Sequence, residues 1–333
     1  MLKISLIGSI KLLNSLKVVD YVAFGAETPD INILNDVAKV LHDEPRGYKN
    51  ILSLELNKGL SFPAARENAL LMYLKDIRKY KNVLSSPNNI LGIEYLKALM
   101  KNKSKIVPVA IHRFGNQYND TDVTGNLASA TAIRNVIKNN GFDILRNLVP
   151  PSTYSILMEN IKVGHIVPDI STFEKAIIYN LRKMSVQEIA ELADVSEGLE
   201  FAIKNAANSC NSIVEFLNII KSKRYTSTRI QRILLYSLLG ITKKDMEISK
   251  KVNPYVRVLG FNDRGKYVLS KISKANPKLN IITSVKKFMD TSTNKNLKAM
   301  LEKDIWATNV YTIGYEYDSW NNLDYTHKII TEK

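Results

Sequence analysis

The chain has 333 residues, 45% apolar and 24% charged, with 14 Gly and 10 Pro. These values exclude wholesale disorder and collagen-like repeats, and the length predicts two domains. The net charge of +15 points to an anionic partner, no apolar run is long enough to cross a membrane, and a single cysteine, Cys210, excludes an intrachain disulfide and a cysteine zinc site.

The N-terminal run MLKISLIGSIKLLNSLK is apolar but interrupted by Lys3 and Lys11. It reads as an amphipathic core helix rather than a signal peptide, and the expected compartment is the cytoplasm. Asp20–Phe24 reads as a short buried strand ending at Gly25. A helix over about 31–42 stops at Pro45 and Gly47, and 63–80 is a strong helix with Pro63 in its first turn. Ser86-Pro87-Asn88 opens a helix that runs into Ile90–Met100, and Lys105–Ile111 is a second buried strand. Residues 115–127 are a polar loop, and 128–139 are helical up to Gly141. Strands alternating with helices predict an α/β domain with a parallel, Rossmann-like sheet over 1–149.

Pro150-Pro151 marks a change of character. Residues 152–250 read as helices near 171–184, 186–193, 197–207, 211–221 and 227–239. A strand at Tyr255–Leu259, a helix at 264–275 and a strand near Asn280–Thr283 suggest a small α/β module over about 252–290, followed by helix over 291–312. The second domain is thus predicted as a mostly helical, basic domain over 150–333.

The charge is unevenly spread. Residues 201–300 hold 20 Lys+Arg against 5 Asp+Glu, whereas residues 151–200 hold 4 against 8. A concentrated basic stretch of this kind fits a phosphate backbone, and a solvated basic surface would look the same. Arg224, Arg229 and Arg232 are its candidate nucleic-acid contacts, because a guanidinium makes forked bonds to phosphate. Ser185–Ile203 has the rhythm of a DNA-reading helix-turn-helix, but Glu197 and Glu200 open its second helix, so DNA is not the expected partner.

Four segments could carry chemistry. Gly25, in Phe24-Gly25-Ala26-Glu27, lies at the end of a strand, where open parallel sheets bind ligands, though it also reads as a turn glycine. Asn88 and the less certain Asn89 sit at a helix start, where an amide can cap the helix or bond a ligand. Arg113 follows the second strand, well placed for a phosphate or simply on the surface. In ASATAIR, Ser129, Thr131 and Arg134 combine hydroxyls, a helix start and a cation, a set that suits a triphosphate or an ordinary N-cap. No residue set has metal-ligand spacing, and the residues alone name no catalytic group.

Taken in order, GSIKLLNSL, VDYVAFGAE, GLSFPAARENAL, SPNNILGIEYLKAL, the Arg113 loop, ASATAIR, VSEGLE, KRYTSTRIQRILLYSLLGIT and PYVRVLGFNDRG resemble the bacterial tRNA(Met) cytidine acetate ligases, of the nucleotidylyltransferase superfamily. The resemblance covers about residues 8–300. It implies an enzyme that activates acetate with ATP, with Mg2+ as companion ion, and passes the acetyl group to N4 of the wobble cytidine of elongator tRNA(Met). It places Gly25, Asn88 and Arg113 at ATP, makes Ser129, Thr131 and Arg134 candidates for the second phosphate motif, and assigns the basic 201–300 stretch to tRNA.

One departure stands out. The family begins with a strand leading into a His-x-Gly-His motif, whereas the four histidines here, His42, His112, His165 and His327, include no pair at that spacing. The chain resembles an N-terminally truncated member. The loss of phosphate donors implies a steep fall in activity, to the point of an inactive chain, an exposed sheet edge and exposed apolar surface are expected, and a non-catalytic tRNA-binding protein of the same descent is the competing reading.

Overall fold

The computed structural model describes residues 2–113, 128–139, 141–167, 169–196, 198–220, 225–318 and 322–332. In chain order the elements begin α1 (Leu2–Leu16), β1 (Tyr21–Ala26), α2 (Ile31–Asp43), α3 (Arg46–Asn57), α4 (Phe62–Leu74), α5 (Ile77–Tyr80), α6 (Pro87–Lys101) and β2 (Val107–His112). Next come α7 (Ala130–Lys138), α8 (Phe142–Leu148), α9 (Pro151–Lys162), a 3-10 turn (Ile170–Phe173), α10 (Glu174–Lys183), α11 (Val186–Glu191), α12 (Leu199–Ser209), α13 (Ile213–Ile220), α14 (Ser227–Leu239) and α15 (Lys243–Lys251). The chain ends with β3 (Tyr255–Arg257), β4 (Gly260–Phe261), α16 (Asp263–Ala275), β5 (Asn280–Ile282), α17 (Val285–Thr291), α18 (Lys295–Ile313), α19 (Leu323–Thr326) and β6 (Ile330–Thr331).

The contacts divide the chain into two compact units. The first comprises Met1–Tyr118, Pro254–Ile281 and Ile330–Lys333, and the second Asn119–Asn253 and Ile282–Ile329. This division falls at 118/119 rather than at Pro150-Pro151. It also splits the basic stretch, placing 6 of its 20 cations in the first unit and 14 in the second.

In the first unit β1 and β2 pair in parallel, from Tyr21 opposite Val107 to Ala26 opposite His112. One face of this pair carries Phe24 and Ala26, buried against α2 and α6 in a core that includes Leu34, Val37, Leu70, Ile93 and Leu96. Gly92 permits that packing, because a Cβ there would stand 2.5 Å from the Phe24 ring. The opposite face carries Tyr21, Val107, Val109 and Ile111, which are 67%, 50%, 39% and 54% exposed. Both strands read from sequence as buried, but they are covered on one face only: alternation along β2 puts Val107, Val109 and Ile111 on the open face and Ala110 on the core face.

Local chemistry explains two departures from expectation. The helix expected over about 31–42 does stop before Pro45, as α2, and the departure is the helix that follows: Pro45 precedes α3, since proline needs no N–H partner at a helix start. The helix expected over 63–80 breaks in two. Lys75 is left-handed at φ 58, and Asp76 starts α5 by accepting from the Lys79 amide at 3.0 Å.

The second unit is helical around a core of Phe173, Ile177, Leu181, Ile189, Leu199, Ile203, Phe216 and Ile233, into which α18 adds Val310. Capping boxes open α11, between Ser185 and Glu188, and α15, between Thr242 and Asp245. Cys210 is buried in this core, and burial pushes its thiol pKa up despite the nearby Arg182.

Candidate nucleotide site

The C-terminal ends of β1 and β2 and the N-terminal end of α6 converge in the first unit. Parallel strands send all their C-terminal ends to one pole, where ligands of open α/β sheets bind. Gly25 is exposed there, and Arg113 extends the ladder by one bond, its amide donating to Ala26 O at 3.0 Å. A Cβ on Gly25 would meet the Arg113 Cβ at 3.9 Å, an ordinary contact. Packing against Arg113 therefore does not demand glycine, and what Gly25 leaves open is the pole itself.

The N-terminus of α6 already holds an anion. Glu27, just past β1, accepts from the Asn88 amide at 3.2 Å, from Asn88 Nδ2 at 2.7 Å and from the Asn89 amide at 2.9 Å. Ser86, at the N-cap position, makes no cap bond and instead donates to Asn82 O at 3.1 Å. Pro87 has no N–H, so the Glu27 carboxylate satisfies two of the three orphan amides and opposes the positive end of the helix dipole. Burial pushes its pKa up, but the bonds from the Asn88 side chain and the Asn88 and Asn89 amides outweigh that and hold it below the ordinary value.

Asn88 is buried and turns its other end outward, where Asn88 Oδ1 accepts from Arg113 Nη1 at 3.1 Å. Asn89, fully buried, faces Thr28, accepting from its amide at 2.9 Å and donating to its hydroxyl at 3.0 Å. Asn89 is therefore spent on holding the loop after β1, and of the two asparagines Asn88 is the one connected to the pole. Gly25, Asn88 and Arg113, chosen from sequence, lie together. Glu27 was missed. Its signal was faint, an acid two residues past a strand-end glycine, because its partners are 61 and 62 residues away.

Ser129, Thr131 and Arg134 lie in the second unit. Ser129 is the N-cap of α7 and accepts from the Ala132 amide at 3.0 Å, Thr131 is half-buried in the first turn, and Arg134 is exposed. Arg224 lies outside the described residues, as does the 115–127 loop.

Arg229 and Arg232 fold back onto the turn between α11 and α12. Arg229 donates through Nε and Nη2 to Asp194 O at 3.0 and 2.9 Å, reaches Ser196 Oγ at 2.7 Å and lies over the Tyr225 ring. Arg232 pairs with the Asp194 carboxylate at 3.0 Å. Asp194 is left-handed at φ 64, and the two arginines brace that strained position. Among the described residues no three His, Cys, Asp or Glu side chains gather as metal ligands, and no helix is long and apolar enough to cross a membrane.

Comparison with known proteins decides the kinship. Residues 7–325 match the HIGH Nucleotidyl Transferase family model. The tRNA(Met) cytidine acetate ligase of Caldanaerobacter subterraneus subsp. tengcongensis is 42% identical over 323 residues, 97% of this chain and 79% of that one. The ligase of the same name from Acetivibrio thermocellus is 38% identical over 331 residues, with the same coverage of each chain. This chain belongs to the tRNA(Met) cytidine acetate ligase family. In three dimensions it is similar to the crystal structure of Thermotoga maritima TmcAL without ligand, with a TM-score of 0.88, 31% identity and coverage of 98% of this chain and 80% of that one. The structure of the same protein bound with alpha-thio ATP superposes with a TM-score of 0.86 at 30% identity and the same coverage. The α/β fold expected from the sequence is the fold of this ligase family, whose members are ATP-binding, tRNA-modifying enzymes.

Proposed function

We propose that the chain binds ATP at the pole of β1, β2 and α6 and there activates acetate, then acetylates N4 of the wobble cytidine of elongator tRNA(Met). The observation that carries this reading is the convergence of Gly25, Asn88 and Arg113, with Arg113 tied to Asn88 at 3.1 Å. An acetate oxygen attacks the α-phosphorus, the bond to the bridging β-oxygen breaks and pyrophosphate leaves. The cytidine amine then attacks the acetyl carbonyl, AMP leaves and N4 loses a proton. Acetate is already ionised at neutral pH, so the first step needs alignment and charge compensation more than a base. Arg113 supplies the charge, and Gly25 lets the nucleotide approach the strand end.

Ser129, Thr131 and Arg134 are proposed as the second phosphate motif. ATP is expected to bring Mg2+ with it. The described residues form no three-ligand cluster, so such an ion would rest largely on phosphate oxygens and water. The basic 201–300 stretch is proposed to hold tRNA, with Arg224, Arg229 and Arg232 as candidates. DNA and membrane are not proposed partners, and the cytoplasm is the proposed compartment.

No two histidines of the sequence have the His-x-Gly-His spacing. We therefore propose that a site without that pair exchanges weakly or not at all, since one missing oxyanion donor costs about 10²–10³ in rate. The test is acetate-dependent ATP–pyrophosphate exchange. Slow exchange that Arg113→Ala abolishes supports the ligase reading. Salt-sensitive tRNA binding with no exchange supports the competing one, a tRNA-binding protein without turnover.

A further inference from the structure

The Asn88 side chain has a donor end and an acceptor end of nearly the same shape, so packing alone does not choose between its two orientations. Its neighbours do. Glu27 only accepts, and it takes Asn88 Nδ2 at 2.7 Å. Arg113 only donates, and it takes Asn88 Oδ1 at 3.1 Å. Turned over, the amide would set oxygen against carboxylate and NH2 against guanidinium. Glu27 is itself pinned by the Asn88 and Asn89 amides, at 3.2 and 2.9 Å, on a helix that packs against β1.

We infer that Glu27 is a positioning residue for Arg113: through the Asn88 amide it sets the edge that the guanidinium presents at the pole of the sheet. The inference deepens the nucleotide reading above and rests on it. It distinguishes the roles of two neighbours. Asn88 orients Arg113 with its carbonyl oxygen and does not need to read the base, and Glu27 acts on the nucleotide without touching it.

The decisive comparison is a swap of the charge along the relay. In Glu27→Gln, an acceptor-only group becomes an amide. Keeping the Asn88 and Asn89 bonds then forces a donor against a donor, or turns Asn88 over and away from Arg113. In Asn88→Asp two carboxylates face each other. In the double variant the new amide at position 27 can donate to one oxygen of the new carboxylate at position 88 while Arg113 donates to the other, which restores the order of donors and acceptors along the side chains and gives up only the bond that the residue-88 amide makes to the same Glu27 oxygen. ATP binding to the full chain, measured by calorimetry, should weaken about tenfold or more in each single variant and return to within about threefold of wild type in the double variant.

Wild-type affinity in folded Glu27→Gln overturns the inference, as does a folded double variant that recovers nothing. If Glu27→Gln does not fold, the double variant decides alone. If wild type binds no ATP, or Arg113→Ala binds it normally, the nucleotide reading fails separately. The relay is then judged by the Arg113 side-chain ¹⁵Nε–H resonance. Displacement in Glu27→Gln and return in the double variant supports it, and an unmoved signal overturns it.

Discussion

Arg182 and Lys204 cap each other's helices. Arg182, in the last turn of α10, donates to Ala207 O and Cys210 O at the end of α12, both at 2.7 Å. Lys204, inside α12, donates to Arg182 O and Met184 O at the end of α10, both at 2.6 Å. Each cation lies at the negative end of a neighbouring helix and fills carbonyls that have no partner within it. Arg182→Ala should therefore destabilise the second unit by about 1–2 kcal/mol, the low end for a charged bond because the arginine is solvent-exposed. Urea unfolding followed by far-UV circular dichroism measures this. An unchanged midpoint would show that water replaces the guanidinium at no cost.

The acid limb of stability should depend on Glu27. Its folded pKa lies below the ordinary 4.5. The unfolded chain therefore takes up its proton first as pH falls, and the contribution is present above about 4.5 and lost as pH drops through the lower folded value. Asp36 acts in the same direction: the bond from the Tyr80 hydroxyl, at 2.6 Å, lowers its pKa against the opposing effect of burial, and Lys79 adds to the lowering. Glu27→Gln should flatten the fall of the thermal midpoint below pH 4.5. A pH–midpoint curve parallel to wild type would refute the assignment.

Gly92→Ala reverses the usual sign of a helix substitution. In an open helix interior alanine is favoured over glycine by about 1 kcal/mol. Here its Cβ would meet Phe24 Cε2 at 2.5 Å and Cδ2 at 3.0 Å, and Phe24 is stacked on Tyr95 at 5.8 Å with little room to retreat. A net loss of about 1–3 kcal/mol is expected, measurable by thermal unfolding, and Phe24→Leu in the same chain should recover part of it.

Arg229 separates a folding role from a tRNA role. Three of its bonds hold the Asp194–Ser196 turn. Arg229→Ala should lower the unfolding midpoint, and Arg229→Lys should not restore it, because an ammonium cannot make the forked bond to Asp194 O. A purely electrostatic tRNA contact would behave the other way: stability unchanged, weaker tRNA binding, and a slope of affinity against salt reduced by about one unit. Filter binding at several salt concentrations, beside the melting curve, tells the two apart.

Much of the first unit was legible in the sequence because its signals are local. Tyr21–Ala26 and Val107–His112 are short apolar runs with strand formers, α2 is preceded by the Asp30 cap, and α6 opens on Ser86-Pro87. The alternation of such runs with helices implied a parallel pair, and the colinear motifs placed Gly25, Asn88 and Arg113 at one site. Local signals also misled: Pro45 reads equally as the end of one helix and the start of the next, and the break at Lys75 leaves no mark in an otherwise helical pattern.

By itself, then, the sequence determined the fold class, the two strands, the family and the residues at the strand ends, each of them a property of composition, periodicity or linear motif. Only the tertiary structure decided which groups those residues face. It put Glu27 rather than Ser86 on the start of α6, turned Arg229 and Arg232 inward onto Asp194, and joined 254–281 to the first unit. The physical reason is the range of the interactions. A helix cap or a β-run is written within a few residues, whereas a hydrogen bond between side chains 61 residues apart exists only after folding has brought the two ends of the sheet and the helix to one place.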